Sequence, residues 1–278
     1  MLKHVIAAVA AAALAIAAVV TPAQAAPPPR DRELRVMSFN IHHAAGTDGV
    51  LSLQRIADEI TAADAEVIGL QEVDNHWGTR SEFADQAQEL AELLDMHVVF
   101  GANLDLAPAA DQTHNRQYGT AILSRYPIIR SNNLLLTNID YPDRPTEQRG
   151  LLTATINVRG VLIDFHNTHL DHQRAEQRDL AITEIFDVLK RNDRPAVLVG
   201  DLNAEPEAPE IQRLTNVLDD AFAGRTDAPT YPAEKPTKRI DFILGRHVTF
   251  SDAAVITTPA SDHLPVAATI TFQARTGA

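Results

Sequence analysis

The side chains best suited to metal and phosphate chemistry stand at the ends of short apolar runs. Asn40 closes Val36-Met37-Ser38-Phe39, Glu72 follows Val67-Ile68-Gly69-Leu70, and Asp201 and Asn203 follow Ala196-Val197-Leu198-Val199. His169 ends the run that starts at Val161, Asp241 opens Phe242-Ile243-Leu244, and Asp262-His263 precedes Leu264-Pro265-Val266. Hard oxygen donors beside imidazoles suit a divalent cation and a phosphate ester. A carboxylate at the end of an apolar strand is costly unless paired or metal-bound, which singles out Glu72. The spacing of Asp201 and Asn203 can put both on one side of an extended segment. There a carboxylate orients or deprotonates a water while a carboxamide donates to a phosphoryl oxygen. Plainer roles stand beside these: an exposed strand-end Glu72, a turn-forming Asn40, an Asx turn into Pro206, and an Asp241 that pairs with Arg239. The chain has no cysteine, which excludes thiol catalysis and cysteine-ligated zinc. Ser38 and Ser261 lack a nucleophile elbow, which argues against a serine hydrolase.

Strand-length apolar runs alternate with helical patterns. Strands are expected over Arg35 to Ile41, Val67 to Leu70, His97 to Phe100, Thr120 to Leu123 and Ile128 to Leu136. More follow at Val197 to Val199, Ile240 to Leu244, Val248 to Val255 and Val266 to Phe272. Leu151 to Val158 and Val161 to His166 read as a hairpin through Arg159-Gly160. Apolar stripes at helical spacing mark helices over Leu53 to Ala63, Phe83 to Leu94, Leu180 to Leu189 and Ile211 to Leu218. Strands that end in polar residues imply an α/β (α+β) chain of mixed sheets covered by helices, with the site at the strand ends.

At 278 residues the chain has room for one large domain. Residues 1–25 have the form of a signal peptide: Lys3 and His4, an apolar run from Val5 to Val20, then Ala23-Gln24-Ala25. The run is short for a bilayer span of about 20 residues. A proline-rich lead-in, 26–33, and a domain over 34–278 follow, and a secreted, extracytoplasmic protein without a stable membrane span is expected. Without cysteines it must be held by core burial alone. The net charge is −13. Duplex binding usually needs a basic face, because phosphate neutralisation supplies much of the affinity.

In order and wording, Ser38-Phe39-Asn40-Ile41, Leu70-Gln71-Glu72-Val73, Tyr118-Gly119-Thr120-Ala121-Ile122-Leu123-Ser124, Asn167-Thr168-His169-Leu170, Gly200-Asp201-Leu202-Asn203, Arg239-Ile240-Asp241-Phe242-Ile243 and Ser261-Asp262-His263-Leu264-Pro265 resemble the endonuclease/exonuclease/phosphatase family, in its exported bacterial form. The resemblance runs from about Leu34 to Phe272. It implies a four-layer sandwich of two packed mixed sheets flanked by helices. It also implies a metal site of Glu72, Asn40 and Asp262, with Mg²⁺ as cofactor and Mn²⁺ as a possible substitute. His169 would face the scissile phosphate, Asp201 and Asn203 would serve the attacking water and a phosphoryl oxygen, and Asp241 would orient His263. Whether Asp201 or His263 is the base stays open. Tyr118 and Arg116 fall in a cleft-lining region, and Lys238 belongs with Lys235 and Arg239 to a cationic loop that either guides an anionic substrate or is merely solvated. Arg80 and Gln86 resemble positions of exported bacterial members. His42-His43 could reach the metal edge or lie plainly on the surface, and His166 and His172 read as incidental.

The function implied is hydrolysis of phosphodiesters: nucleic acid, a phospholipid head group or a small diester, with no obligate protein partner. Acidity weighs against duplex DNA, and no long aromatic hairpin marks a membrane-inserting sphingomyelinase. Leu264 replaces the basic residue expected after the histidine in inositide-type monoesterases. A non-catalytic binding module would have lost motif positions, and all are present.

Overall fold

The computed structural model describes residues 31–273. The expected leader at 1–25 and the first residues of the lead-in lie outside them. Two six-stranded mixed sheets pack face to face. The first is built from β1 (Arg32–Asn40), β2 (Val67–Asn75), β3 (His97–Leu106), β4 (Arg116–Ser124), β11 (Thr249–Val255) and β12 (Val266–Phe272), in the order β11-β12-β1-β2-β4-β3. The second runs β5-β6-β7-β8-β10-β9, from β5 (Ile128–Leu135), β6 (Gly150–Val158), β7 (Val161–His169), β8 (Ala196–Asp201), β9 (Asp219–Asp220) and β10 (Asp241–Arg246). Helices α1 (Leu53–Ala62) and α2 (Gln86–Leu94) cover the outer face of the first sheet. Helices α3 (Ala175–Leu189) and α4 (Pro209–Thr215) cover that of the second. The expected four-layer sandwich is what the chain forms.

Side-chain alternation along each strand sorts the layers. In β1, Leu34 and Val36 enter the core between the sheets, while Met37 and Phe39 face α1 and α2. In β8, Val197 and Val199 face inward, while Ala196 and Leu198 face α3 and α4. The same alternation makes Ser38 and Asn40 in β1 and Asp201 in β8 the next inward residues, so the apolar core between the sheets becomes polar at one end. Gly69 marks the closest approach there: a Cβ on it would lie 2.3 Å from Val199 Cγ2 and 2.9 Å from Asn167 Cγ.

Several elements differ from the sequence expectation: β3 runs on to Leu106, β4 starts at Arg116, α3 starts at Ala175, and α4 covers Pro209–Thr215. Strand β2 continues beyond Leu70 to Asn75, because a bulge lets pairing with β4 resume at Val73. Helix α2 starts at Gln86 rather than Phe83. Asp85 caps it, accepting from the Gln88 N–H, and Thr79–Ser81 before it form a 3₁₀ turn. The two-residue β9 carried no readable pattern. Among the described residues, no helix is long and apolar enough to cross a membrane.

Candidate active site

Strand register aligns the central row. His169 at the end of β7 pairs with Asp201 at the end of β8, and Asp201 pairs with Asp241 at the start of β10. The three side chains are therefore neighbours before any loop contributes. Gly200 lets β8 lie this close to β7, since a Cβ there would sit 2.1 Å from the Thr168 carbonyl oxygen. The loop before β12 then brings in His263. Its Nδ1 lies 3.0 Å from Asp241 Oδ2, and its Nε2 lies 3.6 Å from Asp201 Oδ2. The His169 Nε2 approaches the same oxygen at 3.4 Å. Asp201 Oδ1 accepts from the Asn203 N–H at 2.9 Å, and Asn203 Nδ2 donates to the Leu170 carbonyl at 3.0 Å.

The other wall comes from the first sheet. Gln71 and Glu72 together oppose Thr120, a two-against-one bulge between Leu70 and Val73. Bulges re-aim side chains beside active sites, and Glu72 adopts φ 57° there. Asn40 Nδ2 donates to Glu72 Oε1 at 3.2 Å and to Asp201 Oδ2 at 3.1 Å, tying the walls together. Its Oδ1 accepts from the His42 N–H at 3.1 Å. Beneath them Gln71 Nε2 donates to Asn167 Oδ1 at 2.7 Å, and Asn167 Nδ2 donates to the carbonyls of Leu70 and Ala121. These bonds tie the two sheets together under the site, although Gln71 Oε1 itself has no partner.

Burial and charge divide the titrating roles. Burial raises Asp201 to about 7, with Asp241 adding to it and His263 opposing. Burial would lower His263, but the Asp241 and Asp201 carboxylates outweigh it and raise the imidazole to about 10. Burial, then Arg149 and His263, hold His169 well below the usual histidine range. The site thus pairs a cationic His263 with a neutral His169 across one carboxylate. His43 is likewise held down to about 4, mainly by burial and the Arg80 guanidinium.

These groups open into a cavity of about 540 Å³ lined by Glu72, Tyr118, His169, Asp201, Asn203, Lys238, Asp262 and His263. Arg149, Glu147, His172, Glu205 and Tyr231 complete the polar wall. The eight proposed catalytic and metal-side residues converge here: seven line the wall or face Asp201, and Asn40 lies buried just beneath. Of the proposed substrate contacts, Tyr118 and Lys238 line the cavity. Arg116 does not: its guanidinium stands 5.8 Å from the Trp77 ring, and its Nε donates to the Ala107 carbonyl. The cationic loop also divides. Arg239 is buried and forms a two-point ion pair with Asp220 rather than with Asp241. Arg80 makes a similar pair with the buried Asp74, and Gln86 joins that strand to the His43 loop. His172, read as incidental, lines the wall, while His166 is hydrogen-bonded to Thr153 elsewhere.

Sequence reasoning missed Arg149 and the role of Tyr231. Arg149 stands one residue before β6, is 4% exposed, and pairs with Glu147 at 2.8 Å. A charge directly before a largely buried strand was the available signal. Tyr231 packs against His263 with ring centroids 4.7 Å apart and planes tilted by 42°, a contact that no local pattern announces. Two ligand-type groups among the described residues could hold a metal ion: His42, His43 and Glu72, and Asp201, Asp241 and His263. In the second, His263 bridges the two carboxylates, although Asp241 Oδ1 has no hydrogen-bond partner. The first leaves donors open.

A chain with this architecture has solved counterparts. An endonuclease/exonuclease/phosphatase structure from Beutenbergia cavernae is 29% identical, with TM-score 0.73, covering 87% of this chain and 72% of that one. The human Nocturnin catalytic domain, with bound sulfate, shares the fold at 21% identity and TM-score 0.65, covering 90% of this chain and 100% of that one. Protein cwh43 of Schizosaccharomyces pombe is 27% identical over 234 residues, which are 82% of this chain and 22% of that protein. This chain therefore spans less than a quarter of that curated relative. A family model described as "Endonuclease/Exonuclease/phosphatase family" matches residues 37–263, which include every motif that forms the cavity. This chain belongs to the endonuclease/exonuclease/phosphatase family, whose members hydrolyse phosphate esters.

Proposed function

We propose that this protein is an exported phosphodiesterase that depends on a divalent cation. One observation carries the reading: Asp201 Oδ2 lies 3.4 Å from His169 and 3.6 Å from His263, in a cavity that also presents Glu72 and Asp262. Glu72 and Asp262 would hold the cation, with Asn40 fixing Glu72. Bound there, it would neutralise charge on a phosphoryl oxygen. Asp201, near 7, is matched to take a proton from water at neutral pH. That favours it over His263, which is already protonated at that pH. Cationic His263, held by Asp241, then stabilises charge that develops on the phosphoryl group. Neutral His169 is placed to hydrogen-bond a phosphoryl oxygen. Asn203, Arg149 and Lys238 supply further donors on the wall.

A diester suits this wall better than a monoester. Glu147 and Glu205 line it, and the chain carries a net charge of −13. A monoester near neutral pH has close to two negative charges and a diester has one, so the acidic rim repels the diester less. The same acidity weighs against duplex nucleic acid and leaves a phospholipid head group or a small diester as the favoured substrate. A panel of plasmid DNA, RNA, sphingomyelin, an aryl phosphodiester and an inositol phosphate, each with Mg²⁺ and with chelator, tests this. Turnover of a diester is expected, and turnover confined to the inositol phosphate would overturn it. Export rests on the leader-like residues 1–25, and a mature N-terminus at or near Ala26 would support it.

A further inference from the structure

We propose that His42 and His43 join Glu72 as direct ligands of the divalent cation, so that the site selects a first-row transition ion such as Mn²⁺ over Mg²⁺. This rests on the metal-dependent reading above and adds two nitrogen donors to it. The ligand atoms of His42, His43 and Glu72 all lie within 4.8 Å of one another. Two donors on one ion with bonds of about 2.1 Å are at most about 4.2 Å apart, so small side-chain rotations close the gap.

Each residue keeps a free donor. The His42 Nδ1 lies 3.2 Å from the Ala45 carbonyl. Donating its proton there leaves the Nε2 lone pair open, the arrangement by which backbone carbonyls fix metal-binding imidazoles. The His43 Nδ1 is buried and has no hydrogen-bond partner, and such a group calls for an explanation. Glu72 gives Oε1 to Asn40 and retains Oε2.

The loop that carries the rings is held in a rare conformation. His42, His43 and Ala44 have φ of 45°, 45° and 63°, and none is glycine. Gln86 Nε2 donates to the His43 carbonyl at 2.7 Å, and the Ala44 N–H donates to the Ile41 carbonyl at 2.7 Å. Backbone strain persists where the surroundings over-determine it, and it clusters at ligand clamps. The rings meet edge to face with centroids 4.5 Å apart. Two imidazoles beside the Glu72 and Asp262 carboxylates form a donor set for first-row ions, whereas Mg²⁺ prefers oxygen throughout.

Mn²⁺ binding followed by electron paramagnetic resonance, with ¹⁴N couplings read by electron spin echo envelope modulation, tests the assignment. Wild-type protein should bind Mn²⁺ at least about tenfold more tightly than Mg²⁺ and show imidazole ¹⁴N coupling. The double variant His42→Ala/His43→Ala should lose the coupling and weaken Mn²⁺ about tenfold or more, while Mg²⁺ affinity changes little. Glu72→Gln should weaken both ions. An unchanged metal-free melting temperature in the variants shows that the fold is intact. Mn²⁺ bound to wild type without ¹⁴N coupling, or with coupling that survives in the double variant, overturns the histidine ligation and leaves the phosphodiesterase reading standing. Absence of any divalent-ion binding overturns both.

Discussion

One oxygen, Asp201 Oδ2, is shared by Asn40, His169 and His263. Removing either histidine deletes a donor from the reacting phosphoryl group while leaving the core intact, since both stand in the cavity wall. His169→Ala and His263→Ala are each expected to lower kcat by about 10²-fold or more, with a melting temperature near wild type. Steady-state kinetics on the folded variants checks this, and near-normal turnover in either removes its assigned role. Lys238 calls for a different outcome. It lines the cavity, whereas Lys235, in the same loop, does not. Lys238→Ala should raise KM at low salt and leave kcat nearly unchanged, the sign of lost uniform binding. The effect should fade as salt screens charges beyond about 10 Å at 0.1 M. Lys235→Ala is the matched control and should change neither constant. The motif residues were legible because each ends an apolar run. Tyr231 and the Arg239–Asp220 pair were not, because their partners are distant in sequence and only packing of separate elements brings them together.

At the scale of elements, the site depends on how closely the two sheets meet. The apolar runs of β1 and β8 were readable, with Asn40 and Asp201 at their ends, but only the folded strands show that both side chains point inward. The bulge in β2 was not, since nothing in Leu70-Gln71-Glu72-Val73 distinguishes a strand end from a strand that skips one partner. Yet that bulge turns Glu72 into the cavity. Gly69→Ala tests the close approach. Its new methyl would meet Val199 from the other sheet at 2.3 Å, and overpacking of this kind costs about 1–3 kcal/mol. Thermal unfolding should show a loss of about 2–4 °C per kcal/mol for a domain of this size. Turnover should fall as well, because Asn167 and Gln71 span the same gap. A wild-type melting temperature would mean that the sheets do not meet as described.

For the whole molecule, charge and burial set the pH range of activity. Asp201 must be deprotonated to act as a base, so kcat/KM should rise with pH through about 7. His263 must be protonated to stabilise phosphoryl charge, so the rate should fall again toward about 10. The limbs belong to the interacting pair rather than to either residue alone. Asp241→Asn removes the charge that supports the imidazolium and should move the upper limb to lower pH. A profile flat from about pH 6 to about pH 11 (roughly one unit beyond each limb) would contradict these roles.

The most direct measurement of the central claim is hydrolysis of an aryl phosphodiester by purified protein, stripped with excess chelator and then resupplied with Mg²⁺ or Mn²⁺. Asp201→Asn serves as the background in the same assay. Activity should vanish in chelator, return with either ion, and stay about 10²-fold or more below wild type in Asp201→Asn. Full activity in chelator, or restored activity in Asp201→Asn equal to wild type, would contradict the assignment of this cavity as a metal-dependent phosphodiesterase site.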